Sequence, residues 1–498
     1  MDLSDECMIF DNDYQQLKRW CGEFGRSHLR APTYFIRTFG CQQNDHDSEI
    51  AAGILEETGF LQAVSVDESD LVLFNTCSVR ANADRRFFGH VGSLKPLRRG
   101  GAPLIGVFGC MMEQPMHRDR VISTFPYVDF ILGAGAMQLL PYALITILDA
   151  DESHKQTLDM TGTESDVFAH GLPVRRTRSH RALLTIMTGC NNFCSYCIVP
   201  HTRGREISRP YEHIMEEARR AVKEGATEIM LLGQNVNSFG NDVRLKGGEA
   251  ISFATLLKEI SLIDELGIVR YMTSHPKDLS DELIEVIGSQ SRVEPHIHLP
   301  LQSGSDVILK KMNRRYTAGH YLERVRKLRT SRPGITVSTD LIVGFPGETE
   351  QDFEDTLQVM REVRFDAAFT FIYSPRTGTP AASWYDEKEQ ESVHERFERL
   401  VTLQNAISLE SNQVMVGKTV DVLIDGPSRR NPDILSGRAR DDRLVNVSLN
   451  DEMSLPGNLV YKRSPAPGEF AKVKIDRAGS FSLEGTMVTE IKNEEAMP

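Results

Sequence analysis

From residue 33 to about residue 150 the chain alternates short apolar runs with longer stretches in which apolar residues recur every three or four positions. The runs 33–39 (TYFIRTF), 70–75 (DLVLFN) and 104–108 (LIGVF) are rich in β-branched and aromatic residues and predict strands. The most apolar stretch, Phe130 to Leu148, is interrupted by Gln138 and Pro141, so it predicts a strand followed by a buried helix and not a membrane span. After a polar interval the alternation resumes, with strands expected at 182–188, 227–232, 268–273, 295–299, 335–343 and 367–373. Helical periodicity fills the gaps over 211–223, 253–263 and 351–363. Six successive βα units predict an open (β/α)6 barrel. A charged helix then runs to about Asn412, and period-two alternation at 420–424, 444–447, 469–475 and 480–485 predicts a small antiparallel β-barrel.

The expected class is therefore α/β, with an open parallel α/β domain first, a partial barrel second and a small β-barrel last. The boundaries follow from the pattern: an extension at 1–30, a first domain at 31–150, a linker at 151–180 without clear periodicity, the central barrel at 181–412, the last domain at 413–491 and a tail at 492–498. A length of 498 residues accommodates three domains of ordinary size. No repeat of solenoid type is present.

Chemistry enters at the ends of the predicted strands. Cys41, Cys77 and Cys110, 36 and 33 residues apart, each follow one of the first three. The C-terminal ends of parallel strands gather on one edge of a sheet, so these thiols are expected to converge into one cluster. The first barrel strand leads into Cys190, Cys194 and Cys197 in the spacing C-x3-C-x2-C. Three thiolates on one loop suit three irons of a cubane cluster and leave the fourth iron open to a small molecule. Zinc usually takes a fourth protein ligand and paired C-x2-C knuckles, and a two-cluster ferredoxin repeats C-x2-C-x2-C before a proline; neither pattern is present.

The later barrel strands end in polar or glycine-rich groups: Gly233-Gln234-Asn235, Ser274-His275-Pro276, Gln302 to Ser305, Gly344 to Glu348 and Ser374-Pro375-Arg376. All are expected on the face where barrel enzymes place their sites. Gln234, Ser274, Gln302, Gly344 and Glu348 are the candidate contacts for a cofactor, although glycines there also serve simply to turn the chain. His296 and His298 share a strand face, but no third ligand is near in sequence, so hydrogen-bonded core histidines are expected.

Composition changes this picture in three ways. Eight cysteines in a chain with no basic-then-apolar leader argue for metal or catalysis in a reducing cytoplasm, not for a disulfide framework. Cys7 and Cys21 match no motif and are expected as free thiols. The net charge of −13 argues against general nucleic-acid binding. Yet the segment from Gly171 to Arg209 holds seven arginines and one acid, and Arg175, Arg176, Arg178, Arg203 and Arg205 are candidate RNA contacts bracketing the cysteine loop.

These pieces together resemble the radical S-adenosylmethionine (SAM) methylthiotransferases over about residues 33–491. The resemblance is carried by FGCQQN at Phe39–Asn44, NTCSVR at Asn75–Arg80, GCMME at Gly109–Glu113, the cysteine triplet, and a last segment similar to TRAM domains. The run from Cys197 to Pro210, CIVPHTRGREISRP, and LGQNVN at Leu232–Asn237 resemble the dimethylallyladenosine branch, except that His201 stands where that branch usually has tyrosine. HLPLQSGS at His298–Ser305 and IVGFPGET at Ile342–Thr349 also match, with less specificity.

The resemblance implies two 4Fe-4S clusters. Cys190, Cys194 and Cys197 would hold the one that binds and cleaves SAM, and Cys41, Cys77 and Cys110 the auxiliary one that carries sulfur. It implies methylation of a sulfur by one SAM, hydrogen removal from C2 of a prenylated adenine next to the tRNA anticodon by a radical from another, and joining of the methylthio group to C2. It further implies as partners the tRNA anticodon stem-loop, SAM, an electron donor such as flavodoxin or ferredoxin, and a sulfur donor whose identity the sequence does not carry. No membrane is implied, and a monomer is expected. Related members act on threonylcarbamoyl-adenosine in tRNA or on a ribosomal-protein aspartate; outside enzymes, an iron–sulfur carrier or an RNA-binding redox protein would share some of these features.

Overall fold

The computed structural model describes residues 3–78, 81–98, 102–150, 157–161, 171–386, 392–449 and 464–488. Most of the expected linker (151–156 and 162–170), the end of the last domain and the tail at 492–498 lie outside these residues, as does Arg80.

The first domain is a six-stranded sheet of β1 (Thr33–Thr38), β2 (Leu61–Gln62), β3 (Leu71–Thr76), β4 (Leu104–Gly109), β5 (Phe130–Leu132) and β6 (Leu158–Met160), in the order β2-β1-β3-β4-β5-β6. Every pairing is parallel. Strand β3 is buried along its whole length, as its unbroken apolar run requires in a parallel sheet covered on both faces. Leu71, Leu73, Phe108 and Phe130 pack toward one helical layer, and Val72, Phe74, Ile105 and Val107 toward the other. The helix Leu3–His28 belongs to the first of these layers: it buries Leu17 and Cys21 there, and Trp20 stacks on Phe60 at 6.0 Å.

The central domain begins with β7 (Arg181–Thr185) and a short antiparallel ribbon of β8 (Met187–Thr188) and β9 (Ile207–Ser208), between which the cysteine triplet is carried. Then follow β10 (Glu228–Leu232), β11 (Ile268–Tyr271), β12 (His296–His298), β13 (Thr336–Val343) and β14 (Ala367–Ile372). They form two parallel ladders, β7-β10-β11 and β12-β13-β14. A parallel bridge between Val269 and Val293, and the Ser274 N–H donating to the His298 carbonyl at 3.2 Å, join them into one open six-stranded barrel. Alternate residues such as Leu184, Ile229, Leu231, Tyr271, Ile297 and Val337 pack outward against the helices.

The residues between them face inward. At the base, Arg270 is 1% exposed and its guanidinium reaches Glu228 and Glu294, each at 3.0 Å. Above this layer Leu183, Met230, Leu232 and Met272 make an apolar wall. Opposite it, His296 and His298 hydrogen-bond the Ser338 hydroxyl at 2.8 and 2.9 Å, and Phe369 lies edge-on to His298.

The helix Val393–Gln413 packs on β14 and delivers the chain to a closed barrel of β15 (Thr419–Pro427), β16 (Leu435–Ala439), β17 (Leu444–Ser448), β18 (Phe470–Ala478) and β19 (Leu483–Met487), in the order β15-β16-β17-β19-β18. Val422, Ile424, Val445, Val447, Val473, Ile475 and Leu483 fill it. It seats against the N-terminal ends of the central strands: Arg270 donates to the carbonyls of Ala439 and Arg440 at 3.0 and 3.2 Å, and the Thr336 hydroxyl to that of Asp441 at 2.8 Å. Among the described residues no helix is long and apolar enough to cross a membrane.

Candidate active site

The cysteine triplet occupies a loop that is held without help from its sulfurs. The Asn313 side-chain amide donates to the carbonyls of Asn192 and Phe193 at 3.2 and 2.9 Å. The Ser195 N–H and hydroxyl donate to the Met312 and Lys311 carbonyls, and the Ala381 N–H donates to the Ser195 carbonyl at 2.9 Å. Two of the thiols have polar neighbours: Arg314 donates to Cys194 Sγ at 3.5 Å and Asn192 to Cys190 Sγ at 3.6 Å. Burial pushes the Cys190 thiol up to about 11 and the Cys197 thiol up to about 12. The bare thiols are therefore protonated at neutral pH, and a bound cluster has to displace those protons.

Around this loop the backbone is strained. Nine non-glycine residues among those described have positive φ, and five of them, Phe193, Thr273, Gln302, Asn313 and Arg315, lie in the loop or at the strand ends and turn beside it. Thr273 is β-branched, for which this region is a true outlier. Such strain concentrates where a scaffold must aim groups at a ligand.

The candidate cofactor contacts behave differently from one another. Gln234 Oε1 and Ser274 Oγ are buried and have no hydrogen-bond partner. Gln302 is pinned by its backbone between Asp340 and Ile342, which fixes its left-handed conformation. Glu348 closes its own loop: its carboxylate accepts from the Gly344 N–H at 2.7 Å and lies 3.7 Å from Arg396. Burial pushes the Glu348 carboxyl up to about 7, with that N–H and Arg396 acting against the shift. Gly344 turns with φ of 74°.

His275 joins Gln234 and Ser274. Its Nδ1 accepts from the Lys277 N–H, and its buried Nε2 has no partner. Burial holds its pKa far below the usual histidine range, so the ring is neutral with its N–H at Nε2. Its ring meets Tyr316 edge-on at 5.5 Å, and Arg314 donates to the Tyr316 hydroxyl at 2.9 Å before reaching Cys194. A buried acceptor, a hydroxyl and an imidazole donor left unsatisfied beside a three-cysteine loop fit a polar cofactor, since such groups are normally paired.

The second cysteine group sits on the C-terminal edge of the first sheet. Cys41 caps the helix Gln42–Thr58, Cys77 follows β3, and Cys110 opens a short 3-10 turn after β4. The glycines before Cys41 and Cys110 are required for this approach. A Cβ on Gly40 (φ 135°) would lie 2.7 Å from the Cys77 Cβ, and one on Gly109 (φ 104°) 2.5 Å from the Thr76 carbonyl oxygen. Asn44 ties the loops together by donating to the Phe39 and Thr76 carbonyls and to Asn75 Oδ1 at 2.8–3.0 Å. Among the described residues no three metal-binding side chains converge on one ion. A cubane spreads its ligands over separate irons, so the fit rests on three thiols ringing one sheet edge.

The candidate RNA arginines divide. Arg175 pairs with Glu56, Arg176 with Glu224 and Arg178 with Asp425, all with part of the side chain in solvent. Arg205 is exposed and lies over the Phe193 ring at 5.3 Å. Arg203 is instead buried, 7% exposed, between Asp47 and Cys110. That placement turns it toward the first domain and away from any surface path. His296 and His298 are hydrogen-bonded in the barrel interior. Cys21 is a buried free thiol, while the side chain of Cys7 lies outside the described residues.

The Radical SAM superfamily matches residues 184–360, the uncharacterized protein family UPF0004 residues 33–133, and the TRAM domain residues 413–488. A tRNA-2-methylthio-N(6)-dimethylallyladenosine synthase of Acetivibrio thermocellus is 45% identical over 456 residues, covering 91% of each chain. One of Carboxydothermus hydrogenoformans is 45% identical, covering 92% of this chain and 99% of its own. Among solved structures, a radical SAM methyltransferase of Kitasatospora setae with cobalamin and a [4Fe-4S] cluster bound covers 71% of this chain and 77% of its own, with TM-score 0.52 and 14% identity, a likeness of fold alone. With identity of this level over nine-tenths of the chain, and with matches to the three family models in the same order as its three domains, the chain belongs to the radical SAM methylthiotransferase family.

Proposed function

We propose that this enzyme transfers a methylthio group to C2 of N6-dimethylallyladenosine next to the anticodon of tRNA. The observation that carries the substrate is the end-to-end identity with relatives named for that product. We place one 4Fe-4S cluster on Cys190, Cys194 and Cys197 and a second on Cys41, Cys77 and Cys110. When bound, these groups and SAM would supply the radical and the sulfur that replacement of an unactivated aromatic hydrogen by a methylthio group demands.

The chain's own residues supply position and exclusion of water. Gln234, Ser274 and the His275 Nε2–H are the unsatisfied groups expected to take up the polar end of SAM, with Gln302 and the Gly344–Glu348 loop shaping the rim. The apolar wall of Leu183, Met230, Leu232 and Met272 suits the prenyl group, and the exposed faces of Phe369 and Phe371 offer stacking surface to a splayed-out base. The electron donor is of the flavodoxin or ferredoxin kind, and the setting is the cytoplasm.

The test is anaerobic reconstitution with SAM, reductant and either prenylated or threonylcarbamoylated tRNA, followed by mass spectrometry of nucleosides. A methylthio adduct on the prenylated adenosine alone is expected. 5′-Deoxyadenosine without an adduct would reject the substrate, and neither product from a fully loaded protein would reject the enzyme.

RNA is expected to cross the cysteine loop over Arg205 and Phe193, whereas Arg176 and Arg178, paired with Glu224 and with Asp425 of the terminal barrel, lie at the opposite end of β7. Arg205→Glu should weaken tRNA binding and reduce the slope of log K against log salt by about 0.7, the single-strand value for the loss of one phosphate contact. An unchanged affinity and slope in filter binding would remove Arg205 from the path.

A further inference from the structure

We propose that Arg203 is a positioning residue that sets the reduction potential of the auxiliary cluster and ties that cluster to the SAM-binding loop. The inference rests on the reading of Cys41, Cys77 and Cys110 as cluster ligands.

Arg203 follows the short helix Val199–Thr202, which leaves the loop directly after Cys197. Its side chain crosses to the first domain, where Nε donates to Cys110 Sγ at 3.0 Å and a terminal nitrogen to Asp47 Oδ2 at 3.0 Å. Both partners of the ion pair are nearly enclosed, at 7% and 8% exposure, so solvent screens little of their field. Asp47 lies on the helix that Cys41 caps. One guanidinium, carried on the segment that leaves the triplet, therefore reaches the other cysteine group, and its fork is oriented by a carboxylate from the domain it enters. Donors to a ligating sulfur and local charge are among the main determinants of iron–sulfur potentials. Reduction adds negative charge, so a cation at Cys110 favours the reduced state. Removing it leaves the Asp47 carboxylate alone beside the cluster, which disfavours reduction further.

The experiment uses the full chain with Cys190, Cys194 and Cys197 replaced by alanine, so that only the auxiliary cluster is loaded. Iron and sulfide analysis reports first whether that site holds a cluster; if it takes up no iron, the reading of the three cysteines fails, and this inference fails with it. Given a loaded site, a dye-mediated redox titration followed by electron paramagnetic resonance compares Arg203 with Arg203→Gln. The expected result is a tenfold smaller reduced-to-oxidised ratio at the potential where the parent is half reduced, or about 59 mV lower for a one-electron couple. Arg203→Lys should fall between the two. A loaded Arg203→Gln protein with an unchanged midpoint overturns the proposal. Should Arg203→Gln fail to hold iron, Arg203→Lys decides: it keeps the charge but cannot reproduce the fork that reaches both Cys110 and Asp47, so a lowered midpoint supports the role and an unchanged one overturns it.

Discussion

Replacing Cys194 by alanine is expected to abolish SAM cleavage and methylthio transfer together, to the level of a protein-free control. Its sulfur is the middle one of the triplet, buried at 8% exposure and addressed by Arg314 at 3.5 Å. With two thiolates left, the loop no longer supplies one ligand to each of three irons. The fold should not suffer, because the loop backbone is anchored by Asn313, Lys311, Met312 and Ala381, none of which uses the sulfur. The measurements are 5′-deoxyadenosine release, nucleoside mass spectrometry, iron content and thermal unfolding. Iron per chain should drop by half while the unfolding midpoint stays in place. Retained SAM cleavage in the variant would mean that another residue completes the site. Cys21→Ala, which touches neither cysteine group, should leave iron content unchanged.

The second large effect concerns stability. Arg270→Met should cost about 3–5 kcal/mol, the range for breaking a buried ion pair from one side. Arg270 is 1% exposed, binds Glu228 and Glu294 at 3.0 Å each, and donates to two carbonyls of the terminal barrel. Methionine fills much of the volume but leaves two buried carboxylates short of a counter-charge and two carbonyls without a donor. Arg181, beside Glu228, and the Tyr271 N–H, which donates to Glu294, relieve only part of this. Urea unfolding measures the loss, and limited proteolysis should release the segment after Gln413 faster than in the parent. A variant as stable as the parent would show that the arginine and its partners only replace an equally good apolar packing.

The fold was legible wherever burial imposes a simple period. Strands β3 and β10 are buried, mostly apolar runs flanked by turn chemistry, and the helix Tyr211–Lys223 coincides with its expected limits. Strand β16 was not legible: in Leu435–Ala439 the inward positions are Gly437 and Ala439, too small to mark a face. The pattern marks residues 1–30 only as an extension because the partners of the helix Leu3–His28, in the helix Leu140–Leu148 and around Phe60, are distant in sequence. At the site, both cysteine groups announce themselves by spacing and by position at strand ends. His275 lies inside a noticed cluster, but only burial shows that its Nε2 lacks a partner. Asn313 and Arg314 follow a helix in a run without motif character, and their role appears only once Cys194 is brought to them. Arg203 misled because an arginine in a basic run suggests a surface, whereas its burial is decided by Asp47 on another domain.

The seating of the terminal barrel under the central strands has a consequence for access. With Arg270 and its carboxylates packed across the base and residues 439–442 closing beneath them, the chamber is blind at that end. Guests of the chamber are left with the rim ringed by the cysteine loop and with the side left open between β7 and β14, where Phe369 and Phe371 are exposed.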